Sequence, residues 1–404
     1  MGRPDLDLDL LAQNVLFSPL YLLSFAFPRG RKVAFGSGQH AFNGNAKYLF
    51  LHLRDHAPDL RAAWIAPTRE VRDEVRALGL NAFWRHEPAG LWWALTARLY
   101  VFNNRPNDIH FFTSGRAKTL NLWHGVGLKA LGFNSTTAKS RRDFNPHSLY
   151  RRLVRPWLYS RPTWFGSTAP LMSEHFASAF RIPKERCLEV GYTRSDHFFL
   201  DREALWRHLE RTEPADVVAF ARSLERYDKV ILYMPTYRDS REDFLATSGL
   251  DFARLDEAMR AQNALFIFKL HPWTNLKLPD GASFPNLRFA PKASDVYPYL
   301  PFVHLLVTDY SSVYFDFLLL DRPVVLFAFD EERYKAAERD LILDFDTYMP
   351  GPRARTFDAL LAQLAAPAPE LTPAQREVRR LFWGDYAGRA AQALTAKIRE
   401  VLAP

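Results

Sequence analysis

Two histidines in this 404-residue chain stand where a strand should end and a loop begin, each with neighbours suited to phosphate chemistry. In Asn121-Leu122-Trp123-His124-Gly125-Val126-Gly127-Leu128-Lys129, an apolar run delivers His124 to its C-terminal end. Gly125 and Gly127 leave the backbone free to approach a ligand, and Lys129 adds a cation a short loop away. An imidazole titrates near neutrality and so suits general-base work, although a histidine at a strand end can also be purely structural. In Phe268-Lys269-Leu270-His271-Pro272, extended-chain alternation puts Lys269 and His271 on one face, and Pro272 stops the strand there. Such a pair can hold a phosphate or assist a leaving group. Arg238, after Tyr233-Met234-Pro235-Thr236-Tyr237, offers a planar fork for bidentate phosphate contact, unless it pairs with Asp239 or Asp243.

The fourth segment is Leu305-Leu306-Val307-Thr308-Asp309-Tyr310-Ser311-Ser312, which runs on into Val313 to Leu320. It reads as a buried strand that breaks on a polar turn and enters a helix. Thr308, Asp309 and the hydroxyls of Ser311 and Ser312 then lie at a helix N-terminus, where free N–H groups and the macrodipole favour an anion. An ordinary serine N-cap would use the same residues. Asp316 follows one turn into the helix.

The elements that must position these residues alternate between short apolar runs and helical stretches. Val33–Phe35, Ala62–Ala66, Leu99–Phe102 and Thr119–Trp123 read as strands, with helices over Asn45–Leu53 and Thr68–Leu78 between them. A second series comprises Lys229–Tyr233, Leu265–Lys269, Leu305–Thr308 and Pro323–Phe327. This alternation predicts parallel βαβ units and an α/β fold class. The polar helical stretch Asp201–Arg211 places a boundary near residue 205, giving domains over 31–205 and 206–404. Two Rossmann-like halves facing across a cleft are the architecture expected.

Composition agrees with a phosphate-handling protein without naming one. A hydrophobic fraction of 48% with 32 Phe excludes disorder, and 404 residues suit two domains of ordinary size. The net charge of +8 points to an anionic partner. A single cysteine, Cys187, excludes an internal disulfide and a cysteine-rich zinc site, and agrees with a reducing compartment. The N-terminal segment 1–30 has an apolar stretch, Leu10 to Phe27, followed by Arg29, Arg31 and Lys32. It is too short and too polar to span a bilayer. It fits either an interfacial helix on an anionic leaflet or a helix packed on the first domain.

Trp123-His124-Gly125, Tyr233 to Arg238, Lys269-Leu270-His271-Pro272 and Thr308-Asp309-Tyr310-Ser311-Ser312 stand in the order seen in the CDP-glycerol glycerophosphotransferase family, the teichoic-acid-type polymerases and primases. Phe35-Gly36-Ser37 with Asn45-Ala46-Lys47, Val190 to Asp196, and Asp344-Phe345-Asp346 through Pro350-Gly351-Pro352 resemble further family segments, so the likeness covers roughly residues 31–395. It implies a GT-B fold and transfer of glycerol phosphate, or a related polyol phosphate, from a CDP-activated donor to a lipid-linked or glycan acceptor, with release of CMP. By that resemblance His124 is the general base, and His271 and Arg238 steady the donor diphosphate. Ser311 and Ser312, with Thr308, hold phosphate oxygens. Lys269 and Asp309 join them as donor- or phosphate-binding residues, and Asp316, Gly125 and Lys129 support the site.

Two departures leave the polyol and the acceptor open: Val126-Gly127 stands where members commonly have Thr-Pro, and Ala387-Gly388-Arg389 where they have Asp-Gly-Lys. A GT-B glycosyltransferase using a sugar nucleotide, or a non-catalytic binder of anionic polymer, would share much of this pattern. Asp344-x-Asp346 reads as a loop cap, and no obligatory metal or other cofactor is expected because cations and a helix terminus can neutralise the phosphates. Arg141, Arg142, Arg151, Arg152 and Arg155 cluster around Tyr150, Trp157 and Tyr159 without a nucleic-acid-binding module. They form either a solvated face or a platform for anionic lipid or a polyphosphate acceptor; no nucleic-acid partner is expected. The expected location is cytoplasmic, peripheral on the inner face of the membrane.

Overall fold

The computed structural model describes residues 8–38, 41–145, 147–236, 244–271, 274, 283–291, 295–337, 342–366 and 370–404. Backbone contacts divide the chain into two units. The first comprises Met1–His124, Ala130–Asp196 and Asp385–Pro404, and the second Gly125–Lys129 and His197–Gly384.

The first unit holds seven strands: β1 (Gly30–Gly36), β2 (Ala62–Ala66), β3 (Ala82–Trp84), β4 (Ala97–Phe102), β5 (Lys118–Asn121), β6 (Trp164–Ser167) and β7 (Cys187–Glu189). They pair in parallel in the order β3-β2-β1-β4-β5-β6-β7. The second unit holds β8 (Lys229–Tyr233), β9 (Ala264–Phe268), β10 (Leu287–Phe289), β11 (Leu305–Thr308), β12 (Val324–Phe327) and β13 (Arg353–Ala354), in the order β10-β9-β8-β11-β12-β13. Each unit therefore repeats the doubly wound order, with its topological switch between β1 and β4 or between β8 and β11. Central strands are apolar on both faces, as helix-covered parallel sheets require: Val33, Ala34 and Phe35, and likewise Leu305, Leu306 and Val307, are wholly buried. Each fully buried Val, Leu or Phe contributes about 1.5–3 kcal/mol by leaving water.

The unit boundary differs from the sequence expectation in three places. The second unit begins at His197, not 206, and takes Gly125–Lys129 from the first series. The last helix, Ala390–Leu402, returns to the first unit: Leu394 and Ile398 are buried in the cluster that holds Val33 and Leu49. Asp196 fastens this return, accepting from Tyr386 Oη at 2.5 Å and from the Ala390 and Ala391 N–H groups at 3.0 and 2.8 Å. Gly191, at φ +82°, leaves room for Tyr386; a Cβ there would lie 2.2 Å from its ring.

The N-terminal helix α1 (Leu8–Ser24) packs one face on the first unit, as one of the two readings of the apolar segment expected. Phe17 and Tyr21 stack on Phe112 and Phe111, and Asn14 Nδ2 donates to the Leu153 and Val154 carbonyls at 3.0 and 2.6 Å. Val15, Leu16, Leu22 and Leu23 stay exposed. Among the described residues no helix is long and apolar enough to cross a membrane.

Candidate active site

His124 is delivered by a turn that sequence periodicity does not reveal. β5 stops at Asn121, whose Oδ1 accepts the Trp123 N–H at 2.9 Å, and Trp123 takes the left-handed conformation at φ +54°. A bulky residue there stores about 1–3 kcal/mol of strain, which the surroundings must hold. The indole packs against Phe165 and Phe180. Asn45, near the start of helix α2 (Gly44–His56), donates through Nδ2 to the carbonyls of Leu122 at 3.2 Å and Trp123 at 3.0 Å. Arg194 Nη1 donates to the His124 carbonyl at 2.5 Å, and the Arg194 N–H donates to Asn45 Oδ1 at 3.2 Å. Thr193 Oγ1 closes the cage on the Asn45 carbonyl at 2.6 Å. The backbone of His124 is thus clamped while its side chain remains exposed.

Protein crowding around the ring, with positive charge from Arg194 and Arg105, pushes the His124 pKa down to about 4; the Asn103 backbone works in the opposite direction. A neutral imidazole at neutral pH is the form that accepts a proton. At the switch between β1 and β4, Asn103 Nδ2 donates to Ser37 Oγ at 3.2 Å and to the Asn43 carbonyl at 3.0 Å, and its Oδ1 accepts the Ala46 N–H at 2.8 Å.

In the second unit the switch between β8 and β11 is fastened by Asp309. Its Oδ1 accepts the Thr236 N–H at 2.8 Å, Thr236 Oγ1 at 2.7 Å and the Tyr310 N–H at 2.5 Å. Thr308 Oγ1 is buried and donates to the Met234 carbonyl at 2.7 Å. Both were expected to contact phosphate; Thr308 Oγ1 and Asp309 Oδ1 join the two strand ends, paired as buried polar groups normally are. Ser311 and Ser312 keep solvent access, and Ser312 makes no side-chain capping bond at the start of helix Val313–Phe317. Gly127 lies against Ser312, with an added Cβ falling 3.7 Å from the serine Cβ. Lys129 Nζ sits 5.6 Å from the centre of the Tyr334 ring, which stacks on Tyr310.

Lys269 and His271 do not share one environment. Lys269 Nζ donates to the Pro291 carbonyl at 2.9 Å and is half-buried, so its pKa is lowered by desolvation, with Asp295 opposing. His271 is exposed, and partial burial of the ring lowers its pKa. Asp316 is buried and accepts from Tyr297 Oη, a supporting bond within the fold. Gly125 opens the 125–129 segment of the second unit. Arg238 lies outside the described residues. Asp344 caps helix Phe345–Tyr348 through the Thr347 N–H at 2.7 Å, whereas Asp346 pairs with Arg353 at 2.5 Å.

The family model for CDP-glycerol:poly(glycerophosphate) glycerophosphotransferases matches residues 20–399. The chain belongs to that glycerophosphotransferase family. Within it, the chain is 26% identical over 335 residues to a teichoic acid poly(glycerol phosphate) polymerase of Staphylococcus epidermidis, covering 78% of this chain but 42% of that protein. It is also 26% identical over 311 residues to a teichoic acid glycerol-phosphate transferase of Staphylococcus aureus, covering 75% of this chain and 76% of that one. The wall teichoic acid polymerase TagF superposes with a TM-score of 0.73 at 21% identity over 97% of this chain and 96% of that one. A UDP-GlcNAc 2-epimerase from Neisseria meningitidis gives 0.54 at 13% identity over 91% and 99%. These likenesses establish the GT-B fold for this glycerophosphotransferase-family chain. The tasks of Asn45 and Arg194 are not legible in the segments that contain them, because their partners lie 70 or more positions away, which no local pattern signals.

Proposed function

We propose that this protein transfers glycerol phosphate, or a related polyol phosphate, from a CDP-activated donor to a hydroxyl of a lipid-linked or glycan acceptor. The observation that carries the reading is His124: a neutral, exposed imidazole on a clamped and strained turn, within a family match that spans nearly the whole chain. His124 takes the proton of the acceptor hydroxyl, and that oxygen attacks the donor's β-phosphorus in line. A new O–P bond forms, the P–O bond to CMP breaks, and CMP leaves with the electron pair. Ser311 and Ser312 hold phosphate oxygens at the turn after β11, and His271 and Arg238 neutralise the leaving group. Positioning and charge stabilisation account for most of the rate, as is general for phosphoryl transfer. No divalent cation is required, and activity that survives EDTA treatment and gel filtration is the expected result.

A peripheral place on an anionic membrane is supported by α1 and the helix Leu149–Val154, which Asn14 ties together. Val15, Leu16, Leu22, Leu23, Leu149 and Leu153 are exposed, as are Arg141, Arg142 and Arg152, a combination suited to apolar insertion among anionic headgroups. Sedimentation with anionic but not neutral vesicles, lost in Leu16→Asp/Leu149→Asp, tests it.

The activity is tested by CMP release from CDP-glycerol and CDP-ribitol with a lipid-linked or synthetic glycan acceptor, comparing wild type with His124→Ala. CMP formed only with acceptor, and only by wild type, is expected. Release of a nucleoside diphosphate from a sugar nucleotide would overturn the reading in favour of glycosyl transfer.

A further inference from the structure

Arg105 leaves β4 by three residues and His124 leaves β5 by three residues, and the two strands are hydrogen-bonded neighbours. Both residues therefore emerge from one C-terminal sheet edge, the edge on which open α/β sheets bind ligands. Aromatic rings connect them. The Arg105 Cζ lies 4.8 Å from the centre of Phe180, whose ring is 5.0 Å from Trp123, and the Trp123 ring is 4.2 Å from that of His124.

The guanidinium is costly to keep there. Arg105 is only 8% exposed, yet among the described residues its side chain makes a single hydrogen bond, from Nη1 to the Leu158 carbonyl at 3.4 Å, and no ion pair. Stacking on Phe144 and Phe180 satisfies its flat faces but none of its five N–H donors. A buried cation is normally offset by a paired, hydrogen-bonded anion. Asp108 offsets part of that through its charge. Burial pushes its carboxyl up to about 7, and its Oδ2 already accepts the Asn104 N–H at 2.8 Å. Desolvation brings Arg105 down to about 10, so it remains charged at neutral pH. Its field reaches His124, whose pKa it lowers. A fixed, aromatic-walled guanidinium with donors to spare, leaving the same sheet edge as a general base, is suited to recognising a planar or tetrahedral oxyanion on the substrate that the base deprotonates.

We propose that Arg105 is the acceptor-side anion site, binding the phosphate that joins the acceptor's terminal polyol to the rest of its chain while His124 faces that polyol's free hydroxyl. The proposal rests on the reading of His124 as the base toward an acceptor hydroxyl. It assigns to Arg105 a preference for acceptors that already carry a polyol phosphate over the same glycan lacking one.

The test compares two acceptors that differ by one terminal glycerol phosphate, with wild type, Arg105→Lys and Arg105→Gln. Arg105→Gln should raise the acceptor KM for the phosphate-bearing acceptor about tenfold or more, as loss of a charged hydrogen bond implies. It should leave the neutral acceptor and the donor KM unchanged, and Arg105→Lys should retain part of the preference. Calorimetric titration with a short glycerol phosphate oligomer, in a His124→Ala background that binds without turning over, gives a second readout. Binding should weaken on adding Arg105→Gln, whereas inorganic phosphate should compete only at much higher concentration. An equal loss on both acceptors, an effect on the donor KM, or undiminished oligomer binding would each overturn the assignment. Turnover by His124→Ala itself would instead sink the base reading, and the calorimetric arm would still decide the role of Arg105.

Discussion

Replacing Asn45 with alanine removes the clamp on His124 without touching the imidazole. Three main-chain groups lose a partner: the Leu122 and Trp123 carbonyls and the Arg194 N–H. At about 1 kcal/mol for each net hydrogen bond the loss is about 3 kcal/mol, and more if the orphaned groups stay dry. For a unit of roughly 200 residues this corresponds to a fall in Tm of about 6–12 °C. Trp123, held at φ +54°, then relaxes toward ordinary backbone and carries His124 with it. A displacement of about 1 Å at a reacting group costs roughly 10²-fold in rate, so kcat should fall by about that factor while donor binding is retained. Asn45→Asp is the informative partner, because a carboxylate can still accept the Arg194 N–H but cannot donate to the two carbonyls; it should behave at least as badly. Thermal unfolding followed by CMP-release kinetics at saturating donor measures both effects. A Tm that drops as calculated while kcat stays within twofold of wild type would refute the positioning argument and leave Asn45 as architecture alone.

The pH dependence of His124 has a definite sign. Its folded pKa is depressed to about 4 from the ordinary value near 6.5, so the base stays neutral, and kcat/KM for acceptor stays flat, until the pH falls well below 6. An acidic limb with an apparent pKa at 6.5 or above would contradict the lowered value. Asp196→Ala should uncap helix Ala390–Leu402 and cost about 2 kcal/mol, read as a lower Tm. Because burial raises the Asp196 pKa to about 6, the folded state holds that proton more tightly than the unfolded chain, so the wild-type advantage should grow as pH falls from about 6 toward 4. A gap that shrinks on acidification would reverse the assigned sign. Ser312→Ala should raise the donor KM several-fold and leave Tm within about 1 °C, since the side chain is exposed and caps nothing. An unchanged KM would remove Ser312 from the phosphate cradle.

The sequence by itself determined the class of the fold and the family its motifs belong to. Lys229–Tyr233 and Leu305–Thr308 are strands at the residues their apolar runs marked, and Thr68 and Asp201 cap the helices whose starts they signalled. Buried parallel strands must be continuously apolar, so they are legible locally. The edge strands β3, β7, β10 and β13 were not, because two or three residues carry no period. Only the tertiary structure decided that the run ending at Trp123 leaves the sheet at Asn121, that Thr308 and Asp309 fasten a turn, and that the final helix belongs to the first unit. Each of these depends on hydrogen bonds or packing between residues from about 70 to more than 300 positions apart. Local propensity fixes which segments can be strands or helices; long-range partners fix which atoms remain free to act on a substrate.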